Sequence, residues 1–285
     1  MTEQAMIRRK MTAIMEEYLE ALIEKRPDLL PLDKNCRATY NGKETAAGDN
    51  ELWHNTLIIK QRQTFIDPVT KEMVFFGVMS NETREMNEFF PINVRVYHKQ
   101  YLATIRVKIA EDKITEIEEL ALEGRLRHFY AEPDSVVLPD LQFEIPIPEE
   151  ERSAREELLE LVETYWDCAE KSQPAEALKI HPDAQRLENG YYTTNHSNSF
   201  RGDFKHNKNF RWDIPRESRI YPVVDPVRGV VVSCCFMVDG AGAHRDGLMG
   251  ARIVEAFKIK DGAICRLMAF FPVLDCTDGW ECKNE

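Results

Sequence analysis

Positive charge is scarce in this chain. Its 285 residues carry 37 Lys and Arg against 49 Asp and Glu, a formal net charge of −12. Binding a phosphate backbone requires a positive footprint, so no nucleic-acid partner is expected. Long apolar runs are missing too. Residues 1–26 are interrupted by Arg8, Arg9, Lys10, Glu16, Glu17, Glu20 and Glu24, which leaves no segment of signal-peptide type and none long enough to span a bilayer. A cytoplasmic protein with no membrane partner is expected. The seven cysteines are odd in number, and Cys234 and Cys235 are adjacent on an extended run, where neighbours point to opposite faces. They read as reduced core thiols rather than a disulfide framework. No Cys/His cluster has zinc spacing, since His98, His128, His206 and His244 lack a partner at ligand distance along the chain. Gly240-Ala-Gly242 with Gly247 has no strand-to-helix context and reads as a hairpin loop, not a dinucleotide fingerprint. A Gly-x-Ser-x-Gly elbow is also missing, which disfavours a serine hydrolase. The expectation is no metal and no cofactor.

What the chain does have, it has twice. Ile220 to Val224, a turn at Asp225-Pro226-Val227-Arg228-Gly229 and Val230 to Phe236 read as strand, turn and strand. Arg62 to Ile66, Asp67-Pro68-Val69-Thr70-Lys71 and Met73 to Gly77 repeat the pattern. Tyr18 and Tyr165 are 147 apart, Asn41-Gly42 and Asn189-Gly190 are 148 apart, Asp67 and Asp225 are 158 apart, and Ile105 and Glu255 are 150 apart. Recurrence at a nearly constant offset indicates two diverged copies of one domain, the second with an insertion before its hairpin.

The copies read in parallel. Residues 5–25 form a helix with Ile7, Met11, Ile14, Met15, Tyr18, Leu22 and Ile23 on one face. The second copy opens with a helix over Ser153 to Lys171, buried through Leu158, Leu161, Val162, Tyr165 and Trp166, with Ser153 and Glu156 resembling a capping box. Strands are expected over Cys36 to Tyr40, on both sides of Asp67, over Asn93 to Ala110 and Ile114 to Leu120, and at the matching places in the second copy. The domains are set at 1–126 and 151–285. Between them, 127–150 is a Pro-rich linker whose Val136, Val137, Leu138, Leu141, Phe143 and Ile145 are apolar enough to pack across both.

A long helix followed by a strongly curved antiparallel sheet makes an α+β cone with a pocket. Glu188-Asn189-Gly190, Arg219 to Asp225 with Gly229, Glu255 to Gly262, Asn41-Gly42, Leu52-Trp53, Asp67-Pro68 and Phe75-Phe76-Gly77 carry a resemblance. On these residues the chain resembles the SnoaL-like branch of the nuclear-transport-factor-2-like superfamily, as a double-domain member. It implies two cone-shaped α+β barrels in tandem, pairing through their sheets as an internal pseudo-dimer or within a homo-oligomer. Superfamily members include cofactor-free isomerases, dehydratases, cyclases, epoxide hydrolases and a lyase that removes formaldehyde from a lignin-type diarylpropane, alongside binding and assembly domains.

Within that frame Glu255 is the sharpest candidate. It stands where the first copy has Ile105 and shares a strand face with Phe257 and Ile259. A carboxylate among apolar walls has a raised pKa and suits a general acid or base. The alternative is a structural carboxylate paired with an arginine, for which Arg219 is the candidate. Arg219 and Tyr221 share a face leading into Asp225 and are candidates to hold an oxygen that gains charge. His196 lies in a polar passage over Tyr191 to Arg211 that could cap a pocket. Tyr165, Trp166, Phe257 and Trp212 are the candidate substrate walls. Asp67 and Asp225 read first as turn residues. The expected partner is a small hydrophobic or aromatic molecule. The leading function is a cofactor-independent lyase or isomerase, with a small-molecule-binding protein and an assembly module as alternatives.

Overall fold

The computed structural model describes residues 3–86, 93–96, 99–124, 131–171, 178–195, 212–239 and 250–274. The first unit runs α1 (Glu3–Glu24), β1 (Leu32–Tyr40), β2 (Lys43–Thr45), α2 (Glu51–Asn55), β3 (Ile58–Asp67), β4 (Glu72–Ser80), β5 (Thr83–Met86), β6 (Asn93–Val96), β7 (Gln100–Ala110) and β8 (Lys113–Glu123). The second runs α3 (Arg155–Lys171), β9 (Ile180–Glu188), β10 (Tyr191–Thr194), β11 (Trp212–Asp213), β12 (Ile220–Asp225), β13 (Val230–Asp239), β14 (Gly250–Lys260), β15 (Ala263–Phe270) and β16 (Val273–Leu274). The first sheet has the order β2-β1-β8-β7-β4-β3. The second has β10-β9-β15-β14-β13-β11, with β12 also on β13 and β16 on β14. These are two α+β units in tandem, each a long helix against a curved sheet. Both sheets are antiparallel except where β1 meets β8 and β9 meets β15 in parallel. A register shift falls at Lys108/Ile109 in one unit and at Lys258/Ile259 in the other, and such irregularities bend a sheet.

Each helix is held by one apolar face. Met11, Ile14, Met15, Tyr18, Leu19, Ala21 and Leu22 of α1 are buried at helical spacing. At the start of α3 the expected capping box sits one residue later than Ser153 and Glu156. Ala154 N donates to Glu157 Oε2 at 2.8 Å, and alanine supplies no side-chain oxygen for the reciprocal bond.

The strands pack on both faces, which is why they read as continuous apolar runs. On β4, Met73, Phe75 and Met79 face α1 while Val74, Phe76 and Val78 join a second cluster. On β14, Ile253, Phe257 and Ile259 face α3 while Val254 and Ala256 join that same second cluster. The shared cluster is the seam between the sheets. Phe76 meets Phe270 across it edge-on at 5.4 Å, and Ala131, Val136, Leu138 and Phe143 of the linker pack into it.

Polar groups fasten the seam. Asp67 and Asp225 each use one oxygen in their own turn, accepting from Val69 N at 2.8 Å and Val227 N at 3.0 Å. The other oxygen reaches the opposite unit's helix, Asp67 to Arg155 at 2.6 Å and Asp225 to Arg8 at 3.0 Å. Each carboxylate therefore closes its own turn and also ties the two units together. Deeper in the seam Glu118 accepts from Arg252 of the second unit at 2.8 Å and from Arg106 of its own at 3.1 Å, all three being buried.

The Asn-Gly turns recur for a backbone reason. Asn41 and Asn189 have φ of 47° and 46°, in the left-handed region that asparagine tolerates. Each side chain brackets a neighbouring strand, Asn41 through Ala121 N and O at 2.9 and 3.1 Å, Asn189 through Phe271 N and O at 2.9 and 3.2 Å. Asn189→Ala loses both bonds and keeps the strained φ, so urea unfolding should show a loss of about 2–3 kcal/mol. A loss under about 1 kcal/mol would mean that the bracket contributes little.

Candidate active site in the second unit

β14 alternates between seam and interior, and that register points Glu255 at α3, fully buried. Its Oε1 accepts from Arg186 Nε at 2.9 Å and from the Tyr165 hydroxyl at 3.4 Å. Arg186 lies on β9 and also pairs with Glu188 at 2.9 Å. Oε2 of Glu255 is buried without a hydrogen-bond partner among the described residues. Burial raises the Glu255 pKa, the Arg186 guanidinium opposes that rise, and the Glu188 charge adds to it. Burial likewise pushes the Tyr165 hydroxyl well above its ordinary value.

The aromatic residues pack around this carboxylate. Tyr165 meets Phe257 edge-on at 4.9 Å and Trp166 at 5.1 Å. Trp166 Nε1 donates to Ser233 Oγ at 3.1 Å, and Ser233 lies directly across from Glu255 on β13. Tyr165, Trp166 and Phe257 are thus brought together with Glu255. Trp212 opens β11 opposite Asp239. His196 and the Gly240-Ala-Gly242 loop lie outside the described residues.

Arg219 and Tyr221 are placed elsewhere. The Arg219 guanidinium bonds Glu163 at 2.8 Å, Asp167 at 2.7 Å and Glu170 at 3.4 Å along α3, and the Ile214 carbonyl. Arg219 precedes β12 and turns toward the acidic edge of the helix, so the arginine paired with Glu255 is Arg186 and not Arg219. The Tyr221 hydroxyl is buried without a hydrogen-bond partner among the described residues. Burial, with the nearby Glu163 charge, raises its pKa.

Sequence reasoning missed Arg186, and it missed a second buried carboxylate in the first unit. Glu119 is fully buried on β8, and its Oε1 accepts from the Tyr18 hydroxyl and Trp53 Nε1, both at 2.8 Å. Its Oε2 accepts from Asn50 Nδ2 at 2.6 Å. The orientation of the Asn50 amide is fixed because its oxygen caps α2, accepting from Leu52 N and Trp53 N. Burial raises the Glu119 pKa against these three donors. The two carboxylates occupy one cross-strand pair: Ile105 faces Glu119 in the first unit and Glu255 faces Ala269 in the second. Each meets the helix tyrosine of its own unit. The available signal for Glu119 was a charged pair inside the apolar run from Ile117 to Leu122.

A family described as a domain of unknown function, DUF8021, matches residues 151–271. Among solved structures, a candidate polyketide cyclase from Xanthomonas campestris pv. campestris is 14% identical, covers 40% of this chain and 91% of its own, and superposes with a TM-score of 0.31. A candidate polyketide cyclase from a Silicibacter species is 12% identical, covering 41% and 90%, with a TM-score of 0.30. No curated protein matches the chain. No helix among the described residues is long and apolar enough to cross a membrane.

Proposed function

We propose that the second unit is a cofactor-independent proton-transfer site, a lyase or isomerase acting on a small aromatic or polyketide-like molecule. The observation that carries the reading is the difference between the two interior carboxylates. Glu119 has both oxygens occupied by hydrogen bonds, as a structural carboxylate does. Glu255 has one oxygen held and the other buried without a hydrogen-bond partner among the described residues. A buried acid with a raised pKa and an unpartnered oxygen is suited to taking and returning a proton.

In this reading Glu255 moves the proton and Tyr165 orients the substrate. Arg186 takes the part expected of Arg219, holding charge that develops on a substrate oxygen, because it already lies 2.9 Å from the reacting carboxylate. Trp166 and Phe257 exclude water. The test is a panel of phenolic and keto compounds offered to wild type and Glu255→Gln, following binding and turnover separately. Turnover that is lost by about 10²-fold or more in the variant, with binding kept, is the expected result. Equal binding with no turnover in either protein would make this a binding module, and no binding at all would leave an assembly role.

A further inference from the structure

We propose that the ligand of the second unit is a neutral aromatic molecule that donates an O–H, phenolic or enolic, to Oε2 of Glu255. This rests on the reading of Glu255 as the reacting group and names the chemical form it receives.

The first unit is an internal template. Around Glu119, one oxygen takes the helix tyrosine and a nitrogen donor, Trp53 Nε1, and the other takes a neutral donor, the Asn50 amide. Around Glu255, one oxygen again takes the helix tyrosine and a nitrogen donor, here Arg186 Nε. Arg186 stands where the first unit has Ala38, since Ala38 pairs with Ile117 and Arg186 with Leu267. The missing member of the set is the neutral donor, and Oε2 is the atom it would serve. A buried acceptor left without a donor is costly, and an incoming O–H removes that cost.

The surroundings fix the rest of the ligand. An ionised Glu255 repels an anionic ligand and accepts from a neutral donor. Tyr165, bonded to Oε1 of the same carboxylate, packs edge-on against Phe257 at 4.9 Å, so the walls of the site are aromatic. Exchanges elsewhere in the interior offset one another. Ser233 faces Glu255 where Phe75 faces Ile105, and Trp166 fills toward Ser233.

The test uses 2-naphthol, its methyl ether 2-methoxynaphthalene and the acid 2-naphthoate, with affinities measured by calorimetry on the full chain. Naphthol should bind about ten-fold more tightly than the ether, the worth of one hydrogen bond to a charged acceptor, and the acid should be the weakest. In Glu255→Gln the amide nitrogen takes the place of Oε2 and becomes a donor, so the preference should pass from naphthol to the ether. Equal affinity of wild type for naphthol and ether, tighter binding of the acid, or no binding of any of the three overturns the proposal. The wild-type series decides this even where the variant fails to fold. Glu255-dependent turnover of a ketone without donor preference would remove this inference and leave proton transfer standing. Donor preference with no turnover anywhere in the panel would do the reverse.

Discussion

Glu118→Gln should lower the unfolding free energy by about 3–5 kcal/mol at neutral pH, the cost of breaking a buried ion pair by removing one partner. Glu118 is the point at which Arg106 of the first unit and Arg252 of the second meet, and all three side chains are at most 4% exposed. Glutamine fits the space but brings no charge to Arg252, while Arg106 keeps Glu72 and Glu116. The pH dependence gives a second check. Burial alone would raise the Glu118 pKa, but Arg252 and Arg106 reverse that and hold it below the usual carboxylate range. A depressed folded pKa contributes stability that is present above the unfolded value, about 4.3, and lost as pH falls through the folded one. Wild type should therefore lose its advantage over the variant on acidification. Urea unfolding at neutral and acidic pH measures both effects, and a pH-independent loss under about 1 kcal/mol would mean that water reaches the seam.

Arg186→Met should be comparably damaging at pH 8, about 3–5 kcal/mol, because it leaves Glu255 and Glu188 buried without their shared cation. This loss also shrinks on acidification, here because the variant gains stability rather than because wild type loses it. The Glu255 pKa is already raised by burial, and removing Arg186 raises it further. A raised carboxylate pKa favours the folded state at low pH, and that contribution is lost as pH rises through the folded value. The variant should regain stability as pH is lowered, the recovery beginning above the ordinary carboxylate range. A loss that is the same from pH 5 to pH 8 would show that Arg186 acts through packing rather than charge.

The repeat was legible because its anchors are residues the backbone needs. Asn41 and Asn189 sit at positive φ, and Asp67 and Asp225 close turns, so the demand on residue type survives divergence of the core around them. Glu255 was legible because its strand register set it among inward apolar residues. Arg186 was not, since β9 opens on exposed His181, Pro182 and Asp183 and its last three residues are all buried, so no sustained alternation marks an inward face. Glu118 and Glu119 are adjacent charges, of which one faces the seam and the other the interior of the first unit. Two packed faces on one strand hide charge that a one-faced strand would expose. Arg219 was misplaced for a local reason: it precedes β12, so strand alternation does not govern where its side chain goes.

The central claim is that Glu255 moves a proton, and solvent deuterium exchange tests it without knowledge of the natural substrate. 2-Indanone in D2O, followed by proton NMR, reports abstraction at the carbon beside its carbonyl. Wild type should accelerate that exchange over buffer, and Glu255→Gln should reduce the acceleration by at least about 10²-fold while still binding the ketone. Equal exchange rates in the two proteins would contradict the assignment of Glu255 as the proton-transferring group.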